Sequence, residues 1–259
     1  MKRQIFLLPL LLLVNINIVV AQTPSAANPG KAGNNKGQAS TVKESSSSFQ
    51  LGNKTVVIPP PAGFEEATSQ SAEVKRIFTV TEDPGLDLLA VHVPAELMDK
   101  IRRGDREPFS LYTKVSIPKR LRATDASPTD FSTFVSSIQT SFTQALDPDS
   151  ATMKTIKKAQ DRNLTELLEQ DATIDFSKPI NLGQVVKTPA SYGQLLLIKT
   201  KLQTGDLQKE VVIVGGMGIV RVKQRIVFVY TYKFFNSAED IEMVRAFTRK
   251  WLDEIVKAN

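Results

Sequence analysis

Apolar and polar positions divide the chain into three stretches. The first, Ile5 to Val14, is an apolar run behind the basic triplet Met1-Lys2-Arg3, and it closes on Val19-Val20-Ala21. The second, Gln22 to Ser48, has one valine and no Leu, Ile, Phe, Tyr or Trp. From Phe49 onward apolar residues return, spaced by two in some blocks and by three and four in others. Alternation by two marks strands, and recurrence at three and four marks helices.

Read on that basis, Phe49–Leu51 and Thr55–Ile58 form a hairpin turning at Gly52-Asn53 and stopped by Pro59-Pro60-Pro61. Val74–Val80 is rich in strand formers, Asp83-Pro84-Gly85 is a turn, and Leu86–Val93 is a second strand ended by Pro94. A short helix follows at Ala95–Arg102, then a strand at Leu111–Ile117. Ser127-Pro128-Thr129-Asp130 has the layout of a helix start. Phe131, Phe134, Val135, Ile138 and Phe142 then share one helical face, and Asp147-Pro148 ends it. A second helix is expected from about Ser150 to Ala159, whereas Asn163–Gln170 fits strand and helix equally. The last third predicts a meander: Leu195–Thr200, a turn at Thr204-Gly205-Asp206, Val211–Val222, a tight link Lys223-Gln224-Arg225, and Ile226–Phe235. A final helix starts at Ser237, with Ile241, Val244, Phe247, Trp251, Leu252 and Ile255 as its apolar stripe. Strand and helix blocks do not alternate strictly. The fold class is therefore α+β, an antiparallel sheet with packed helices, in a single domain over 49–259.

The first two stretches point outward from the cell. Residues 1–21 are laid out as a secretory signal peptide; the alternative is an uncleaved membrane anchor, for which an interrupted run of about 17 residues is short. Residues 22–48 cannot bury enough apolar surface to offset ordering and read as a flexible linker. The chain is expected to be exported, periplasmic or extracellular. Removing residues 1–21 lowers the formal charge from +6 to +4, too mild for a nucleic-acid-binding protein. Asn53-Lys54-Thr55 and Asn163-Leu164-Thr165 match the N-glycosylation sequon, which matters only in a eukaryotic source.

The order of elements resembles that of the Mog1/PsbP-like proteins, including bacterial envelope proteins of the DcrB kind. The resemblance lies in the hairpin with its Ile58-Pro59-Pro60-Pro61-Ala62-Gly63-Phe64 exit, in the middle amphipathic helix, and in the closing meander with the helix from Ser237 to Ile255. Residues 94–125 depart from the pattern, being longer and more basic. Such folds serve as binding or accessory modules, and the resemblance implies nothing catalytic.

Candidate chemistry is sparse. With no cysteine and one histidine, thiolate sites and two-histidine metal sites are excluded within one chain. No metal site and no cofactor is expected. His92 lies in Leu89-Ala90-Val91-His92-Val93, where alternation groups it with Ala90 and Leu88, away from Leu89, Val91 and Val93. No nucleophile motif accompanies it, so it reads as structural or surface. Gly215-Gly216-Met217-Gly218 leads into a strand rather than a helix, and reads as a bulge or a close backbone approach rather than a phosphate loop. Glu65-Glu66 and Glu82-Asp83 are scattered carboxylates, and Asp147-Pro148-Asp149 lacks the turn glycine of a calcium loop.

One segment stands out by charge. Lys100, Arg102, Arg103, Arg106, Lys114, Lys119, Arg120 and Arg122 face only Asp105 and Glu107 between positions 100 and 122, a local surplus of +6 where the rest of the chain after residue 21 is net negative. Segregated charge creates a field for anions. These residues are the candidate contacts for an anionic envelope component or an acidic protein partner; the plainer reading is a solvated loop with strand edges blunted by cations. The expected role is non-enzymatic binding or accessory work in the cell envelope, with the oligomeric state open. The alternative is a module for a lipophilic small molecule, lined by Phe131, Phe134, Phe142, Phe247 and Trp251; a hydrolase ranks below both.

Overall fold

A computed structural model describes residues 47–105, 107–145, 147–169, 171–204 and 207–259. The signal and nearly all of the linker lie outside the described residues; Ser47 and Ser48, read as the end of the linker, open the first strand. In chain order the elements are β1 (Ser47–Leu51), β2 (Lys54–Ile58), β3 (Phe64–Glu66), α1 (Ala72–Val80), β4 (Leu86–Pro94), α2 (Ala95–Arg102) and β5 (Leu111–Pro118). A 3₁₀ turn (Lys119–Leu121), α3 (Pro128–Ala145), α4 (Ala151–Leu168), β6 (Ala172–Phe176) and β7 (Ile180–Lys187) follow. The chain closes with β8 (Ser191–Thr204), β9 (Leu207–Val222), β10 (Arg225–Phe234) and α5 (Ala238–Lys257). The class is α+β, as the sequence predicts.

β1 and β2 pair as a separate hairpin; the other strands form an eight-stranded antiparallel sheet in the order β3-β4-β5-β10-β9-β8-β6, with β7 also pairing β8. Alternation sorts side chains to two layers. On one face Val91, Tyr112, Phe228, Tyr230, Tyr232 and Met217 meet α1, α2, α3 and α4 through Phe78, Met98, Phe131 and Leu164. On the other face Ala90, Val115, Val227 and Val229 meet α5 through Trp251, Leu252 and Ile255, together with Leu51, Val56 and Ile58 of the hairpin.

Three expectations are corrected. Residues 74–80 are helical, not a strand: Ser71 caps α1 by accepting from the Val74 amide, and Val74 and Phe78, four apart, face the core. α4 runs to Leu168, well past Ala159, which resolves 163–168 as helix; its start at Ser150, accepting from Met153, is as expected. Around His92, a bulge between Leu88 and Ala90 shifts the register. Leu88 therefore packs on the α1–α4 side with Val91 and Val93, and Leu89 joins Ala90 on the α5 side, reversing their expected faces. The strands β3, β6 and β7 are additional to those read from the sequence.

The glycines of β9 serve close approach. A β-carbon on Gly216 would lie 2.2 Å from Thr248 Oγ1, and one on Gly218 would lie 2.6 Å from Leu252 Cδ2. Bare backbone at these two positions lets α5 sit down on the sheet.

Candidate functional site

The basic segment does not stay together. β5 runs between its halves and carries them to opposite ends of the β4–β5 pair, since Leu86 pairs with Pro118 and His92 with Thr113. At the α2 end each described cation has a local carboxylate: Lys100 with Glu107 (3.0 Å), Arg102 with Glu65 and with Asp99 (2.8 Å), and Arg103 with Asp105 (3.3 Å). Arg106 lies outside the described residues. Lys114 is not on the surface at all. Its side chain is 1% exposed, its ammonium donates to Glu82 Oε1 at 2.9 Å, and it lies 5.0 Å from the centre of the Tyr230 ring. Ser116 donates to the other oxygen of Glu82 at 2.6 Å. Burial raises the neighbouring Asp83 carboxyl, and raises the Tyr230 and Tyr232 phenols well above their ordinary value.

At the other end Lys119 donates to the Pro84 carbonyl at 2.8 Å, and the segment from Lys119 to Ala126 meets two turns that are remote in sequence. Arg122 donates to the Gln50 carbonyl and to Asp87. Lys223, from the β9–β10 turn, donates to the Thr55 carbonyl at 3.0 Å, and the Ala126 amide donates to the Gln224 carbonyl at 2.8 Å. Gly52 lies against Ala123, at a φ of +61° that favours glycine. One buried guanidinium joins all three turns. Arg225 donates to the Leu51 carbonyl (2.9 Å), to Asn53 Oδ1 (2.8 Å) and to Asp125. That bond from Arg225 is the main reason the Asp125 carboxyl lies below its ordinary value, with Lys54 adding to the effect. The result is a basic end with Lys119, Arg120 and Lys223 exposed and Lys54 and Arg122 half-buried. Lys54 and Lys223 were missed in the sequence, where they lie 65 or more positions from Lys119.

His92 is wholly buried beneath α5. It sits edge-on to Trp251 at 5.6 Å, with Nδ1 3.0 Å from Thr113 Oγ1. Burial lowers its pKa from 6.5 to about 4, with the Glu66 charge opposing. It is structural, one of the two readings the sequence left open. The aromatic residues considered for an apolar pocket are divided by the sheet: Phe131 and Phe134 pack on the α1–α4 side, Phe247 and Trp251 belong to α5, and the side chain of Phe142 lies outside the description. Among the described residues no group of three or more His, Asp or Glu side chains is arranged to hold a metal ion, and no helix is long and apolar enough to cross a membrane.

Side chains meet the outer backbone groups of three edge strands, β7, β6 and β2. Arg245 and Arg249 of α5 donate to the β7 carbonyls of Leu182, Gln184 and Val185. Asp161 and Thr165 of α4 accept from the β6 amides of Ile174 and Ala172. Asn259 pairs with both backbone groups of Val57 on β2, at 2.9 and 2.7 Å.

No family model matches the chain, and no curated protein matches it. Among solved structures it is similar to the Ran-binding protein Mog1p of Saccharomyces cerevisiae, at 15% identity over 83% of this chain and 95% of that one, with a TM-score of 0.29. It is also similar to a mutant of Mog1, at 14% identity over 82% and 92%, with a TM-score of 0.25. These scores say nothing of what this chain binds. Both are Mog1 structures, and the order of elements in this sequence bears a resemblance to the group that carries that name.

Proposed function

We propose that the chain is an exported, non-enzymatic binding or accessory protein of the cell envelope, whose basic end contacts an anionic envelope component. The observation that carries this reading is the convergence of three turns, remote in sequence, into one cationic surface held by Arg225. Export rests on the signal-like residues 1–21. The non-enzymatic reading draws support from the sole histidine, sealed beneath α5 with its pKa held low, where it has no route to a substrate. The lipophilic-ligand alternative has no comparable support, because its aromatic residues lie on opposite faces of the sheet.

Fractionation of the native host tests the proposal. The chain is expected with the envelope, beginning at Gln22, and to be released from it by high salt. Recovery from the cytoplasm with Met1 intact, or envelope association indifferent to salt, overturns it.

A further inference from the structure

We infer that the basic end docks on the surface of a bilayer rich in anionic phospholipids. This rests on the reading of that end as an anion-contact surface and names its partner. Three turns carry the cations: Lys54 after Gly52-Asn53, Lys119 and Arg120 in the 3₁₀ turn with Arg122 just after it, and Lys223 in the β9–β10 turn. Arg221 and Arg225 flank the β9–β10 turn; Asp83 acts on Lys119, Asp87 on Arg122 and Asp125 on Arg225, so the named cations outnumber the carboxylates they engage.

Shape selects among anionic partners. Three turns from separate stretches of the chain bring cations to one end, whereas an acidic peptide needs a recess or an open strand edge. The β2, β6 and β7 edges are occupied by Asn259, by Asp161 with Thr165, and by Arg245 with Arg249. Among the described residues the large apolar side chain that stands exposed is Ile180, on β7, so the basic end has none to insert. Contact is therefore electrostatic and superficial, with about 5-fold in partition for each cation near the membrane surface. Arg225 is the positioning residue. By tying the Leu51 carbonyl and the Asn53 side chain to Asp125 it presents the three turns already assembled, which lowers the ordering cost of docking.

The test is partition of the full chain into phosphatidylglycerol/phosphatidylethanolamine vesicles against phosphatidylcholine vesicles. The N-terminal residues 1–46 are apolar in part and basic in part, so the ratio of the two is read and compared with variants that leave those residues unchanged. The expected ratio is high at low salt and collapses at about 0.5 M NaCl, where the Debye length is under about 8 Å. Lys54→Glu/Lys223→Glu and Lys119→Glu/Arg120→Glu each lower it by at least about 25-fold. Lys100→Glu/Arg103→Glu, at the α2 end, leaves it unchanged. Circular dichroism and urea midpoints establish that each variant is folded. Equal partition into both vesicles, or equal loss in the α2-end variant, overturns the inference. Binding to soluble polyglutamate through the same residues without vesicle preference also overturns it, while leaving the anion-contact reading standing. Binding to neither removes both.

Discussion

His92 shows how one buried side chain ties the fold to pH. Its folded pKa of about 4 lies below the unfolded value of 6.5, so between these values the unfolded chain binds a proton that the folded chain refuses. Stability from this residue is complete above about pH 6.5 and is lost as pH falls toward 4, by about 3 kcal/mol in all. Urea unfolding of the wild type and His92→Asn at several pH values checks this. The difference between the two curves should shrink across pH 6.5 to 4, and a constant difference refutes it. Taking the difference also cancels the carboxylates that titrate nearby, with Glu66 lowered and Asp83 raised. Gly216 makes a steric prediction. Gly216→Ala drives a methyl group into Thr248 and should cost about 1–3 kcal/mol. Thr248→Ala in the same chain should recover part of the loss, since it removes the obstructing hydroxyl, which has no hydrogen-bond partner. Additive losses in the double variant would refute that coupling.

At the scale of elements, strand β5 explains both a success and a failure of the sequence reading. Its bounds were legible from Tyr112, Val115 and Ile117, yet the charge surplus counted across it merged two surfaces and one buried ion pair. Lys114 shares a face of β5 with Tyr112 and Ser116, and nothing local in the sequence displays the helices that cover that face. Glu82, from the turn after α1, supplies the counter-charge 32 positions away. Lys114→Met should cost about 3–5 kcal/mol by stranding the Glu82 carboxylate, and adding Glu82→Leu should restore much of it; urea midpoints of the two variants check this. α1 was misread because Val74, Ile77, Thr79 and Val80 favour strands, while the Ser71 cap and the four-residue spacing of Val74 and Phe78 carried the helical signal. β6 and β7 went unread for another reason. Their outer backbone groups are met by side chains of α4 and α5, contacts that no local pattern displays. The basic end was half legible: Lys119, Arg120 and Arg122 stood in a charge run, whereas Lys54 and Lys223 are isolated in sequence and join only through the hairpin and the β9–β10 turn.

At the scale of the whole molecule, side chains guard the β2, β6 and β7 edges and one end is charged. Arg249→Ala should uncover the Val185 carbonyl of β7 at little cost in stability, about 1 kcal/mol, while increasing self-association at high concentration. Light scattering at matched concentrations checks this, and an unchanged monomer would show that Arg245 alone protects the edge. The Asn259 bond to Val57 has a different consequence. The hairpin of residues 47–58 rests on Trp251, Leu252 and Ile255 and is fastened by Asn259, about 200 positions downstream. The hairpin therefore lacks part of its seat until residues 251–259 are in place, and a bulky group attached to Asn259 would meet the hairpin where it has to land.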